Sequence, residues 1–138
     1  MKLVLDASVA VKWVLPEADT PQALALRDGF RHQVHELIAP DTLPVEIAHA
    51  LTRAERRGII PVQSAIVRLT DVLATSPILH SYLSLLARAV ELSSLARIGV
   101  YDCLYLALAE QEQCDFVTAD QRLLTLGRPD VLLLANLP

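Results

Sequence analysis

Four carboxylates stand where an apolar segment ends or a helix begins. Asp6 closes the run LVL at 3–5, Glu46 lies early in a helical segment that opens at Asp41, Asp102 sits inside VYDCLYL, and Asp120 comes two residues after FVT at 116–118. Ordinary readings exist beside the chemical one: Asp6 or Asp120 alone can cap the helix that follows it, and Glu46 alone reads as a solvated helix residue. Asp102 is harder to treat that way, because an ionised group among Val100, Tyr101, Cys103 and Leu104 costs several kcal/mol unless it is paired or holds a metal. If the four converge, mutual repulsion raises some of their pKa values and keeps a proton in the cluster unless a cation joins them. Hard oxygen donors, with no suitable His or Cys set, point to Mg²⁺ or Mn²⁺ held by a few carboxylates and several waters. Such a centre best serves phosphodiester hydrolysis: it activates a water, orients the phosphate and offsets negative charge in the transition state without a covalent nucleophile.

Convergence requires a scaffold that brings distant segments to one edge. The pattern predicts a strand at 2–5, a short helix over 8–15, and a helix opened by Thr20 as N-cap with Pro21 at its first position. ELIAP at 36–40 reads as a second strand, followed by a helix capped by Asp41 and closed by Gly58. Pro61 begins another helix, with Val62, Ile66, Leu69 and Leu73 at helical spacing. SYLSLLARAVELSSLAR is a further helix, and VYDCLYLALAEQEQ, apolar on nearly all sides, belongs in the centre. FVT is a short strand, a brief helix follows Asp120, and VLLL at 131–134 is a last strand. Gly58, Gly99 and Gly127 each stand where a helix wants a left-handed residue after its end, and only Gly29 falls outside that pattern. Strands separated by long helical stretches imply crossover connections and a parallel sheet covered on both faces, an α/β class. In open α/β sheets the functional edge lies beyond the carboxyl ends of the strands, so Asp6 and Asp120 are expected to share it.

The chain's 138 residues make one domain, 1–138, large enough for a core without disulfides or a structural metal. Hydrophobic residues reach 53% and aromatics only 4%, so the core is expected to be mostly Leu, Val, Ile and Ala, with some of the surplus covered by a partner. No apolar stretch approaches the roughly 20 residues of a membrane span, and Asp6 interrupts any signal-peptide core, so a cytoplasmic location is expected. Cys103 and Cys114 read as reduced core thiols. A net charge of −4 argues against a general nucleic-acid coat protein, though not against a local basic strip. Without a Gly-rich loop there is neither a P-loop nor a dinucleotide fingerprint.

VLDASVAVKW at 4–13, PVEIAHAL at 44–51, YDCLYLALA at 101–109 and TADQRLL at 118–124 together resemble a PIN-domain ribonuclease, most of all the VapC toxins of type II toxin–antitoxin pairs. The resemblance covers nearly the whole length. It implies a three-layer α/β/α sandwich with a central parallel sheet, cleavage of RNA, a homodimer, and a cognate VapB-like antitoxin that often places a basic side chain among the acids. It also implies that Asp6, Glu46, Asp102 and Asp120 hold Mg²⁺ or Mn²⁺ and position the attacking water, with Ser8 and Thr118 as supporting hydroxyls. YDC stands where YDA is commoner, and QRLL after Asp120 lacks the further acid and the Phe of many relatives, so a firmly bound second metal is not expected.

Arg53 and Arg57 follow Glu46 by seven and eleven residues, near whole helical turns, and read either as an RNA-backbone rail or as a solvated face beside Glu55 and Arg56. Lys12 reads as a phosphate contact, a counter-charge to the acids, or a snorkelling side chain. Trp13 is assigned to the core, His32 and His35 to the surface, and His49, one turn after Glu46, remains a weak candidate. Against the nuclease stands a second class, a PIN-like protein that grips RNA or a partner without cutting; a DNA nuclease with similar acids is a third.

Overall fold

The computed structural model describes all 138 residues. Its centre is strand β1 (Lys2–Leu5), whose last three residues are buried because apolar side chains occupy both faces of the strand. Helix α1 (Ala7–Ala10), a 3-10 turn (Val11–Trp13) and helix α2 (Thr20–Arg31) lead to β2 (Glu36–Pro40). Helices α3 (Leu43–Arg56) and α4 (Ala65–Ala74) lead to β3 (Ile78–His80), and α5 (Leu83–Ala96) with α6 (Val100–Glu112) return the chain to β4 (Asp115–Thr118). A 3-10 segment (Gln121–Leu126) then precedes β5 (Val131–Leu133). All neighbours pair in parallel, in the order β3-β2-β1-β4-β5, with Val4 aligned to Ile38 on one side and Phe116 on the other.

The chain therefore runs outward from β1 through β2 to β3, crosses back, and continues outward through β4 to β5. Right-handed crossovers, the rule for parallel strands, place α1 to α4 on one face and α5 and α6 on the other, which gives the expected three-layer α/β/α sandwich. The reversal of strand order falls between β1 and β4, the position at which open α/β sheets form their crevice. Helix α6 is buried continuously from Cys103 to Ala109. Burying each of its leucines contributes about 1.5–3 kcal/mol, so the predicted central helix is also a main source of stability.

Several local expectations are corrected. β3 was not anticipated: it is a three-residue edge strand with Ile78 and Leu79 exposed, so it lacks the buried apolar run by which strands are read. The helix expected from Pro61 begins at Ala65, leaving Val62 outside it and 78% exposed. Glu55 determines that start, since its Oε2 accepts the Ala65 N–H at 2.8 Å. Asp19, not Thr20, stands at the N-cap of α2, and Thr42, not Asp41, at that of α3. The brief helix expected after Asp6 turns 3-10 beyond its first turn, and the one expected after Asp120 is 3-10 throughout. Gly58 and Gly127 are left-handed as expected, but Gly99 is extended at the start of α6 and Arg97 takes the left-handed position that ends α5. Gly29 lies within α2 for another reason: a Cβ there would come within 2.3 Å of the His35 ring. Cys103 is fully buried and Cys114 partly so, and both are free thiols. No single helix is long and apolar enough to cross a membrane.

Candidate active site

A cavity of about 830 Å³ opens at the carboxyl edge of the sheet, and all four predicted acids line it. Asp41, His49, Tyr82 and Tyr101 share the wall, and no Lys or Arg does. The acids come from four elements. Asp6 leaves the end of β1, Glu46 stands in the first turn of α3, Asp102 in the first turn of α6, and Asp120 just beyond β4. Two of the acids thus sit at helix N-termini, where the backbone dipole favours negative charge.

Asp6 is the most rigidly held. It is 6% exposed, and its Oδ2 accepts hydrogen bonds from Thr118 Oγ1 at 2.7 Å and Ser8 Oγ at 2.9 Å. Those hydroxyls are themselves acceptors: Ala119 N–H donates to Ser8 Oγ and Asp120 N–H to Thr118 Oγ1, each at 3.0 Å. The expected supporting pair therefore ties the end of β1 to the end of β4 and fixes two acids at once. Burial raises the Asp6 pKa above the ordinary range, and the two hydroxyls pull it back.

Glu46 receives two donors on Oε2, Thr42 Oγ1 at 3.0 Å and Tyr105 Oη at 2.8 Å. Its pKa is pushed up to about 7, chiefly by burial, against the pull of Tyr105 and Thr42 and with help from repulsion by Asp6 and Asp102. Asp102 reaches about 6, again mainly through burial, then through repulsion by Asp6 and Asp120. The anticipated repulsion is present, but removal from water outweighs it. Asp120 goes the other way: Arg122 forks its carboxylate at 2.7–3.2 Å and holds its pKa below the usual range. Its Oδ1 also accepts the Arg122 N–H at 3.0 Å, so the capping role open to Asp120 is real and coexists with its place in the cavity.

The donor set fits a hard divalent cation that keeps much of its water. Asp102 has no hydrogen bond acting on its carboxylate, and both donors to Glu46 end on Oε2, which leaves Oε1 free of them. The acids do not close into a cage of three or more ligands around one point. Mg²⁺ is held in that way, through one or two carboxylates and several waters.

The cations expected to guide RNA are elsewhere. Lys12 is 8% exposed and lines a different cavity, and Arg53 and Arg57 are exposed on and just after the last turn of α3, away from the acidic wall. Trp13 is core, 6% exposed, with its indole N–H donating to the Ala23 carbonyl at 2.9 Å. His32 is exposed, His35 is half-buried against Gly29, and His49 does reach the acidic cavity. Three participants escaped the sequence reading. Tyr105 lies three residues after Asp102, so helical spacing could have placed it on the same face. Arg122 follows its partner by two residues, which is a legible pairing only once a 3-10 turn is known. Asp41 joins the wall because its Oδ1 accepts the Tyr82 N–H at 3.0 Å from a distant turn, and no local signal announces that.

Comparison with known proteins bears on the family and the fold. The PIN domain family model matches residues 3–129. Ribonuclease VapC3 of Pyrobaculum aerophilum is 33% identical over 125 residues, covering 89% of this chain and 92% of that protein. The crystal structure of PAE2754 from Pyrobaculum aerophilum superposes with a TM-score of 0.74 at 20% identity, covering 98% of this chain and 93% of the other. VapBC2 from Rickettsia felis, bound to a DNA fragment from its promoter, gives 0.65 at 15% identity, with 96% and 97% covered. A parallel five-stranded sheet with acids gathered at its carboxyl edge, and a family match across nearly the full length, make this chain a member of the PIN-domain family.

Proposed function

We propose that this chain is a Mg²⁺- or Mn²⁺-dependent endoribonuclease and the toxin of a toxin–antitoxin pair. The observation that carries the reading is the acidic cavity: four carboxylates from four separate elements line one wall with no Lys or Arg among them. Retaining that arrangement costs stability, because burial works against each charge. The similarity to Ribonuclease VapC3 supports RNA as the substrate.

Asp6, Glu46, Asp102 and Asp120 would hold the ion. A bound divalent ion supplies charge to a bridging phosphate and lowers the pKa of water. The chain's own contribution is placement and proton transfer. Ser8 and Thr118 hold Asp6 in one orientation, and Tyr105 with Thr42 holds Glu46. As water adds to phosphorus and one ester P–O bond breaks, Glu46 Oε1 would take the proton that the water releases and the departing ester oxygen would take one from solvent, giving a phosphate monoester and a free hydroxyl. Arg53, in the last turn of the Glu46 helix, and Arg57, just beyond it, lie about 10 and 16 Å from Glu46 along the helix axis, outside the acidic wall; exposed and free of ion pairs, they would meet only RNA that extends beyond the cavity.

The likeness to VapC3 and to VapBC2 supports a VapB-like antitoxin partner, and a homodimer belongs to the same proposal. Exposed Ile66 and Val67 on α4 and Leu83 and Val90 on α5 offer apolar surface for such contacts. The arginine fork on Asp120 and the open ligand set favour a second reading, a PIN-like protein that binds RNA or a partner without cutting. One experiment separates the two. Purified protein is incubated with structured RNA and matched DNA in Mn²⁺ or Mg²⁺, with and without EDTA, beside Asp6→Asn and Asp102→Asn. Cleavage of RNA alone, abolished by chelator and by either substitution, is expected; binding without cleavage supports the second reading, and cutting that survives both substitutions refutes the mechanism.

A further inference from the structure

The chain has one Trp, three Tyr and two Phe. Trp13, Tyr105 and Phe116 are buried, and Phe30 is half-buried against the core. The two that reach solvent, Tyr82 at 39% exposure and Tyr101 at 59%, both line the acidic cavity. Tyr105 gives its hydroxyl to Glu46, whereas no hydrogen bond within the chain occupies the hydroxyl of Tyr82 or of Tyr101.

Both rings stand on backbone that other contacts fix. Tyr82 is at the N-cap of α5, where its N–H donates to Asp41 Oδ1 at 3.0 Å and its carbonyl accepts the Leu85 N–H at 3.0 Å. Asp41 is anchored in turn, its own N–H donating to the His80 carbonyl at 2.8 Å, so the ends of β2 and β3 hold Tyr82 at the carboxyl edge of the sheet. Tyr101 lies in the first turn of α6, next to Asp102. β3, which Tyr82 follows by two residues, is two strand spacings from β1, about 10 Å, a separation of the order of one nucleotide.

With no Lys or Arg on this wall, neutralisation of phosphates by side chains does not supply affinity for RNA close to the acids. Stacking on an aromatic face does, and it is open to any base because every base has a π-face. We propose that Tyr82 and Tyr101 each stack a nucleobase of single-stranded RNA and so bring the adjoining phosphate to the acids. The identity of the ligand rests on the nuclease reading; the residues that grip it are the new element. Bases paired in a duplex are already stacked on one another and present no free face to these rings. RNA suits the rings better than a peptide does, because Val45 is the one large aliphatic side chain on the wall and the neighbouring acids serve a phosphate bridged by a cation.

The test is ¹⁹F NMR of the full-length protein labelled with 3-fluorotyrosine, its signals assigned with Tyr82→Phe and Tyr101→Phe. The probe is a 2′-O-methyl tetra-adenylate with methylphosphonate linkages, in EDTA, compared with an abasic tetramer of the same backbone and with N-acetyl-Gly-Phe-Gly-amide. It is uncharged and has no phosphodiester to cut, so neither metal nor cleavage enters the measurement. Saturable shifts at Tyr82 and Tyr101, with buried Tyr105 unmoved, are expected. Tyr82→Leu and Tyr101→Leu, each read at the other ring, should raise Kd by about fivefold to a hundredfold, and the Phe variants should bind like the unaltered chain. No saturable shift, an equal response to the abasic tetramer, or tighter binding of the peptide would overturn the proposal. A chain that cuts no RNA yet gives the base-dependent shifts would refute the nuclease reading and leave the stacking subsite standing.

Discussion

The Tyr105 hydroxyl donates to Glu46 Oε2 at 2.8 Å and so connects the buried face of α6 to the first turn of α3. The ring is held independently, stacked on Phe116 with centroids 5.5 Å apart and planes inclined by 20°. Tyr105→Phe therefore removes one hydrogen bond with little else disturbed. We expect a loss of about 1 kcal/mol in denaturant unfolding. Because that bond lowers the Glu46 pKa, the acidic limb of the RNA-cleavage profile should move to higher pH. An unchanged limb would mean that Glu46 does not titrate in the reaction.

Glu46 and Asp102 titrate at about 7 and about 6 in the folded chain, above the ordinary carboxylate values near 4. Between those values the folded chain holds protons that the unfolded chain has released, so stability falls as pH rises through the window. The penalty is absent below the unfolded pKa and complete above the folded one. Metal-free protein should therefore melt lower at pH 8 than at pH 5, and Mn²⁺ should raise Tm more at pH 8. Glu46→Gln and Asp102→Asn should each flatten this profile and raise Tm at pH 8 without metal, by roughly 3–5 °C per kcal/mol for a chain of this size. A profile that rises from pH 5 to 8 would contradict this account.

Arg122 competes with any cation for Asp120. The guanidinium is 85% exposed, so solvent screens the fork and it adds little to stability. Arg122→Met should leave Tm nearly unchanged, let the Asp120 pKa return toward the usual range, and lower the Mn²⁺ concentration needed for half-maximal cleavage. Weaker Mn²⁺ activation in that variant would show instead that the guanidinium assists at the site.

Thr118 serves both ends of the acidic wall, donating to Asp6 and accepting from the Asp120 N–H. Thr118→Val keeps the shape and removes both bonds. With Thr118 and the Asp6 carboxylate both buried, the expected cost is about 1–3 kcal/mol in unfolding. The Asp6 pKa should rise further, and calorimetry should show weaker Mn²⁺ uptake. Thr118→Ser should restore most of both quantities, which a merely volumetric role of the side chain would not do.

Much of this protein is legible along the chain. An apolar run ending on an acid marks β1 and Asp6, a near-continuous apolar helix marks α6, and the alternation of strand and helix dictates a parallel sheet. These signals are local, because burial on both faces removes polar residues from a central strand or helix and leaves a run that can be read directly. The short edge strand β3 gives no such run, since its side chains stay in contact with water. The start of α4 was misplaced for a related reason: the Glu55 carboxylate that satisfies its first N–H comes from the preceding helix.

Side-chain destinations were decided by the fold. Lys12 and Asp6 are six residues apart, yet one lines a cavity beside Arg68 and Asp71 and the other the acidic one. Tyr105 and Thr118 acquire their roles through partners brought together by the crossing from β3 back to β4. Composition and periodicity determine which elements form and which face each one buries. Distances between charges, and hence which carboxylates keep their protons, depend on how those elements pack, because desolvation and Coulomb interaction are set by separation in space and not by separation in sequence.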